Sequence, residues 1–205
     1  MVYLRGQAGP RGFRWTRATG MEILATSPSS KETFANGIND AGWIAGNAVF
    51  TSGTIPVLWV PGKPVRDLGL PPGYSNGYAS SRINSRGEIL VSLVPQGAPQ
   101  AYGSDEPFLW SEERGYVALP KPEGCKEIHA IDLNDLGQVL LRTERASDGA
   151  STAFLVTDGR WKPLPTARIG LSTVYYALND RGWLAGYVEL VQRGSPNRRG
   201  FVARP

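Results

Sequence analysis

The feature that most constrains this chain is a short turn pattern that occurs four times. In each copy an apolar segment is followed by Asn, two variable residues, Gly and a second apolar segment. The Asn and Gly residues of the four copies are Asn39 and Gly42, Asn84 and Gly87, Asn134 and Gly137, and Asn179 and Gly182. Successive asparagines are 45, 50 and 45 residues apart. A nearly constant period of this length indicates that each copy is one supersecondary unit.

A second marker recurs with the same period between the turns. It is an aromatic or apolar triplet, at residues 13–15, 57–59, 108–110, 154–156 and 201–203. In the first four copies a short segment ending in leucine follows about ten residues later, at Leu24, Leu68, Leu119 and Leu164. Two markers with one period show that the whole unit repeats, and not the turn alone.

Each unit is predicted to contain four short antiparallel strands and no helix. The 25 Gly and 16 Pro residues favour turns, and β-branched and aromatic residues are concentrated in the apolar segments. Four strands in about 45 residues are typical of a β-propeller blade. We therefore predict an all-β, propeller-like single domain over 1–205, with four full repeats and partial terminal strands. The repeat units are 11–50, 55–94, 106–144 and 152–191, with a partial unit at 199–205. Pairing of the terminal strands would give five blades, and both a closed ring and an open arc fit this count.

The Asn turns have a structural explanation. Asn hydrogen-bonds the backbone that follows it, and Gly three residues later accepts the positive φ that closes the turn into a hairpin. An Asp-rich calcium loop would need about six oxygen ligands, and Ser85 replaces the Asp that follows Asn in other copies. We predict structural turns, with no metal site and no cofactor.

These residues resemble a known family, the HAF repeat, named for His-Ala-Phe. The resemblance is carried by the Asn turns, the Phe-Leu-Trp triplet and a following Asp-Leu-Gly segment, and residues 57–70 are the closest copy. It covers nearly all of 11–204, although no copy keeps the His. Proteins of this family are described as bacterial and extracellular. The resemblance therefore implies a propeller-like repeat fold and an exported location, and it supplies no catalytic residues.

The charge is concentrated at the two ends. The formal net charge is +4, and residues 1–17 and 191–205 each contain four arginines and no acid. If the ends meet, they form a basic seam that could attract nucleic acid or another polyanion, although a solvated seam is the simpler interpretation because no aromatic nucleic-acid motif accompanies it. No apolar run is long enough to span a membrane. Residues 1–5 lack a signal-peptide pattern, so an exported location would require the chain to be a fragment that begins within a repeat.

Catalytic chemistry finds little support in the sequence. Cys125 and His129 are four residues apart, on one face of a regular strand, but no orienting acid or amide accompanies them. A glycan hydrolase or lyase would need paired carboxylates. The available acids, which do not form a recognisable pair, are Glu88, Asp105, Glu106, Asp132 and Glu189. We therefore favour a non-catalytic module that binds a protein or a glycan, with a glycan-active hydrolase or lyase as the alternative.

The aromatic residues divide into periodic and non-periodic sets. The periodic tryptophans, which we predict to be core residues, are Trp15, Trp59 and Trp110 at one position and Trp43 and Trp183 at another. The non-periodic tyrosines, which are the candidate ligand-binding residues because binding residues concentrate in loops and strand starts, are Tyr74, Tyr78, Tyr102 and Tyr175.

Overall fold

The computed structural model describes residues 2–3, 9–98, 105–166, 172–192 and 195–204. Among these residues the regular secondary structure is entirely β-strand, and every pair of neighbouring strands is antiparallel. The chain divides into two compact units, Met1–Ala118 and Leu119–Pro205. An all-β chain of antiparallel sheets is what the sequence predicts.

The described residues of the first unit form four sheets. The strands of the two short sheets are β1 (Val2–Tyr3) with β2 (Pro10–Arg11), and β3 (Phe13–Thr16) with β4 (Gly20–Ile23). The first four-stranded sheet consists of β5 (Glu32–Ile38), β6 (Ile44–Phe50), β7 (Gly53–Trp59) and β8 (Arg66–Asp67). The second consists of β9 (Tyr74–Ile83), β10 (Ile89–Pro95), β11 (Glu106–Ser111) and β12 (Gly115–Ala118).

In the second unit the described residues form two sheets. One is four-stranded and consists of β13 (Cys125–Leu133), β14 (Val139–Arg145), β15 (Ser151–Thr157) and β16 (Arg160–Pro163). The other is three-stranded and consists of β17 (Ser172–Leu178), β18 (Leu184–Gln192) and β19 (Ser195–Ala203).

In every larger sheet the strands pair in chain order. The first strand enters an Asn turn, the second leaves it, the third carries the triplet, and the fourth, where present, precedes the leucine. The repeats defined in the sequence begin near the triplet, whereas each sheet begins at the strand that enters the Asn turn. Each four-stranded sheet therefore takes its strands from two consecutive sequence repeats.

The core of each unit consists of aliphatic residues on the strands that flank the Asn turns. In the first unit Leu58, Ile89 and Val91 are essentially inaccessible to solvent, and in the second Leu140 and Leu184 are. Burying each such side chain contributes roughly 1.5–3 kcal/mol. The repeated apolar pattern thus becomes the face through which the sheets of one unit pack.

The prediction that all periodic tryptophans are core residues is wrong for two of them. Trp59 and Trp110 are buried, and Trp43 packs partly buried against the core. Trp15 is 64% exposed and Trp183 is 42% exposed. Within the described residues β3 has β4 as its only partner, so no strand shields the other edge of the hairpin that carries Trp15.

Trp183 differs from Trp43 in what lies opposite it. The ring of Trp43 lies over Gly87 of the neighbouring turn, where an added Cβ would come within 2.6 Å of the ring. Trp43 is therefore covered by the next sheet of its unit, whereas Trp183 belongs to the last sheet that the structure describes in its unit.

Candidate ligand-binding site

All four Asn turns adopt one geometry. The four turn glycines have φ between 74° and 76°. Their N–H groups donate to the carbonyl of the turn asparagine at 2.9–3.0 Å. The asparagine Oδ1 accepts the N–H of the residue four positions later, at 2.9 Å in every copy. These are the turns that the Asn-x-x-Gly pattern predicts.

The turn asparagines also connect neighbouring sheets within each unit. The Nδ2 of Asn39 donates to the carbonyl of Asn84 at 2.9 Å, and the Nδ2 of Asn134 donates to the carbonyl of Asn179 at 3.0 Å. In both pairs the donor and the acceptor are 45 residues apart. One side chain therefore closes its own hairpin and fixes the spacing to the next one.

The candidate tyrosines occupy different environments. In β9, Tyr74 is half-buried, packs edge-on against Phe108 at 5.4 Å and donates to Glu106 Oε2 at 2.6 Å. Burial and this hydrogen bond raise the pKa of Tyr74 to about 12. Tyr78 is 42% exposed in the same strand. Tyr102 lies outside the described residues.

The expectation that Tyr175 lies at a ligand surface is wrong. Only 7% of this residue is exposed, and its ring packs edge-on against Phe201 at 5.2 Å. Its hydroxyl donates to the carbonyl of Pro165 at 2.7 Å. Tyr175 is a core residue because β17 places it on the face that packs inside the second unit.

β13 does not have the regular alternation that would place Cys125 and His129 on one face of the strand. A bulge between Cys125 and Glu127 interrupts the alternation of β13. His129 is buried, and its Nε2 lies 3.3 Å from Glu127 Oε2. The described residues contain no group of three or more His, Cys, Asp or Glu side chains placed to hold a metal ion. Nor do they contain a helix with the length and hydrophobicity needed to cross a bilayer.

The second unit contains an open cleft of about 710 Å³ between its two Asn turns. The side chains and backbone that line it are Leu136, Gln138, Leu155, Thr157, Asp158, Arg160, Lys162, Arg181, Gly182 and Arg204. Four of these residues are cationic and one is acidic. A cavity of this size lies in the range of small-molecule sites, so the cleft is the strongest candidate site in the described residues.

A tight hairpin positions one wall of this cleft. Asp158, with φ 49°, and Gly159, with φ 74°, form the two-residue loop between β15 and β16. Asp-Gly is the preferred sequence for such a loop, because both positions require positive φ. Arg160 and Lys162 are two residues apart in β16 and so lie on one face of the strand. The hairpin therefore presents both cations to the cleft.

The two Asn turns of the second unit form the opposite walls. Besides the bond from Asn134 to Asn179, the N–H of Asp135 donates to Asp180 Oδ1 at 2.7 Å. Gln138 bridges from its turn to the hairpin. Its Oε1 accepts from Asn134 at 2.9 Å, and its Nε2 makes a long 3.5 Å contact with Thr157 Oγ1. Hydrogen bonds thus hold the two Asn turns and the hairpin that bound the cleft in fixed positions.

The cations of this cleft are not neutralised. No described acid forms an ion pair with the side chain of Arg160, Lys162, Arg181 or Arg204. Three arginines and one lysine against a single carboxylate give the lining a formal charge of +3. A concave surface of one charge sign focuses the field on an oppositely charged ligand.

The arginine of the first unit that corresponds to Arg181 is neutralised. Arg86 lies two residues after its turn asparagine, as Arg181 does, but it pairs with Glu88 at 2.6 Å. Arg114 also pairs with Glu88, at 3.0 Å. Burial acts to raise the pKa of Glu88, but the bonds from Arg86 and Asn84 outweigh it and hold this pKa below its usual range.

The acid that neutralises Arg86 has no counterpart in the turns of the second unit, where Gln138 and Trp183 occupy the equivalent positions. The residue four positions after the turn asparagine is Glu88 in one copy and Gln138 in another. Glutamine keeps the size and the hydrogen bond to the turn asparagine but carries no charge. Sequence reasoning missed the cleft because its cations come from separate segments, and only Arg204 belonged to the predicted basic seam. The available signal was that the third and fourth copies have no acid at the position of Glu88.

A partly exposed aromatic pair also escaped the sequence interpretation. Tyr176 and Tyr187 lie 5.5 Å apart at an interplanar angle of 42°. The Arg198 guanidinium lies 4.8 Å from the centre of the Tyr187 ring and pairs with Glu189 at 2.9 Å. This terminal arginine is therefore already engaged, unlike those of the cleft.

Comparison with known proteins supports the fold alone. No family model matches the chain, and no curated protein matches its sequence. Among solved structures, a chain from a structural and mechanistic analysis of two prolyl endopeptidases is similar, with a TM-score of 0.52 and 16% identity. The match covers 90% of this chain and 30% of that chain. This similarity supports a propeller-like all-β fold.

Proposed function

We propose that the chain is a non-catalytic binding module that takes an anionic ligand in the cleft of its second unit. The observation that carries this proposal is the set of four cations that have no ion-pair partner in the described part of the chain, in a cavity whose walls are fixed by hydrogen bonds. Arginines that form no ion pair with a described acid favour carboxylate, sulfate or phosphate groups, which accept hydrogen bonds from the planar guanidinium. The walls of the cleft are already ordered in the folded chain, so less conformational entropy is lost on binding and the affinity is higher.

The scaffold proposed for this function is the propeller-like array of four repeats with partial terminal strands, as a five-blade ring or an open arc. The resemblance to HAF repeats and the extracellular location that it implies belong to the same proposal. Acidic polysaccharides and acidic protein surfaces are the anionic partners that such a location would offer.

The proposal is tested by binding to an array of acidic and neutral glycans and acidic proteins. We expect retention of anionic ligands that weakens as salt is raised and is reduced at least tenfold in an Arg160→Gln/Arg181→Gln double variant. Arg145→Gln is the matched control, because Arg145 is exposed in the same unit and pairs with Asp148 instead of lining the cleft. Equal binding by both variants would refute the site, and cleavage of a retained glycan would establish the alternative, a hydrolase or lyase.

A further inference from the structure

The lining of the cleft combines cations with neutral and apolar groups, and this combination narrows the class of ligand. Leu136 is exposed and Leu155 forms part of the floor, while Thr157 and Gln138 supply a hydroxyl and an amide. A purely electrostatic site for inorganic anions has no use for leucines. The cleft therefore suits a ligand with separate charged, hydroxylated and apolar parts.

We infer that this ligand is a carboxylated oligosaccharide, an inference that rests on the proposed function of the cleft. A uronic acid ring carries one carboxylate, several hydroxyls and an apolar C–H face. Its carboxylates fit the arginines, which bind them through two parallel hydrogen bonds. The C–H faces of its rings fit the exposed side chain of Leu136.

The hydrogen-bonding groups of the cleft are suited to sugar hydroxyls. The contact between Gln138 Nε2 and Thr157 Oγ1 is long, at 3.5 Å, so a hydroxyl can replace it at little cost. Asp158 in the hairpin loop has no ion-pair partner among the described residues and is an acceptor for hydroxyl protons. The same carboxylate disfavours a densely charged phosphate chain by repulsion.

Other polyanions match the lining less well. Single-stranded nucleic acids bind largely by stacking their bases on aromatic side chains, and none of the described residues that line this cleft is aromatic. An acidic peptide would use the arginines and leucines, but its extended backbone presents few hydroxyl groups to Thr157 and Asp158. The volume of about 710 Å³ accommodates a short oligosaccharide.

The experiment uses the full chain and calorimetric titration with four probes of similar length. These are an oligogalacturonate, its methyl ester, an oligoglutamate and tripolyphosphate. We expect the oligogalacturonate to bind at least tenfold more tightly than the other three. The uncharged ester tests whether binding needs the carboxylates, and the oligoglutamate tests whether carboxylates bind equally well without the sugar rings.

Two variants locate the interaction. Gln138→Glu copies the neutralising residue of the first unit, keeps the acceptor for Asn134, and should weaken uronate binding about tenfold. Thr157→Val should weaken binding of the oligogalacturonate about threefold without affecting the oligoglutamate. Urea midpoints of both variants, compared with the unmodified chain, identify any loss caused by misfolding.

The possible results distinguish failure of the saccharide inference from failure of the proposed anion-binding function. Binding of oligoglutamate or tripolyphosphate as tight as that of oligogalacturonate, and weakened by Gln138→Glu, would overturn the saccharide inference and leave the anion-binding function standing. Failure of every anion to bind, or binding that Gln138→Glu does not weaken, would overturn both.

Discussion

The bond from Asn134 to the neighbouring turn can be tested by removing its donor alone. Asn134→Asp preserves the shape of the side chain and keeps the oxygen that accepts the N–H groups of Leu136 and Gln138 at 3.1 and 2.9 Å. The amide nitrogen becomes an oxygen. It then faces the Asn179 carbonyl at 3.0 Å and Gln138 Oε1 at 2.9 Å, both of which are acceptors.

The magnitude follows from these contacts and from burial. Asn134 is only 2% exposed, so water cannot readily replace the lost donor. Two hydrogen bonds are lost, each worth about 0.5–1.5 kcal/mol, and a buried acceptor is left facing other acceptors at a cost of about 1–3 kcal/mol. We expect the free energy of unfolding to fall by about 3 kcal/mol at pH 7.

Asn179→Asp is the matched control in the same unit. Its Oδ1 accepts from Arg181 and Trp183 at 3.0 and 2.9 Å, as in the other turns. Within the described residues its amide has no acceptor, and the residue is exposed. The same substitution should therefore cost less than about 0.5 kcal/mol.

Urea denaturation followed by tryptophan fluorescence measures both variants, with linear extrapolation to water. At low pH the difference between them should narrow, because the carboxyl group introduced by Asn134→Asp regains a donor when it is protonated. Equal losses for the two variants at pH 7 would refute the claim that the amide connects the sheets.

Two further changes address the packing and charge of the first unit. Glu88→Gln should lower the free energy of unfolding at neutral pH by about 1–3 kcal/mol, and urea titrations between pH 3 and 7 should show a weaker acid dependence. The sign follows because the pKa of Glu88 is lower in the folded state than in the unfolded state. Its carboxylate therefore stabilises the fold above the usual carboxyl pKa, and this stabilisation is lost as the pH falls through the folded-state pKa. An unchanged pH profile in the variant would contradict the ion pairs. Gly46→Ala places a Cβ 1.9 Å from the Phe34 carbonyl oxygen and 2.8 Å from the Trp59 ring, so it should cost more than about 3 kcal/mol in a thermal or urea melt. Gly200→Ala, with 3.8 Å of clearance, should cost little, and comparable losses for the two would refute the steric argument.

The parts of the fold that depend on local chemistry were predictable from the sequence. The Asn-x-x-Gly pattern specifies both the hydrogen bonds and the positive φ of a turn within five residues. The short strand that precedes each leucine was also recognisable, as in β16 (Arg160–Pro163), which ends one residue before Leu164. In contrast, the burial of Trp15 and Trp183 depends on whether another strand or sheet covers them, and a repeat pattern carries no information about what covers its ends.

The candidate site depends on residues that the sequence separates. Arg181 resembles Arg86 in its local context, since both lie two residues after a turn asparagine. Arg86 is neutralised because Glu88 lies two positions after it. Arg181 is not, because Trp183 occupies the equivalent position. Recognising the cleft also required Arg160 and Lys162, which reach the same cavity only through the pairing of β15 with β16.

This comparison indicates where specificity resides in a repeat protein of this kind. The backbone of each turn is fixed by Asn and Gly, so the positions two and four residues after the asparagine can change without altering the turn. Arg86 with Glu88 forms a closed ion pair, whereas Leu136 with Gln138 leaves a neutral, partly apolar surface at the same backbone positions. The residues at these two positions therefore set the charge of the turn surface with no rearrangement of strands. In the second unit Arg181 has Trp183 where Arg86 has Glu88, so the ion pair of the first unit has no equivalent there.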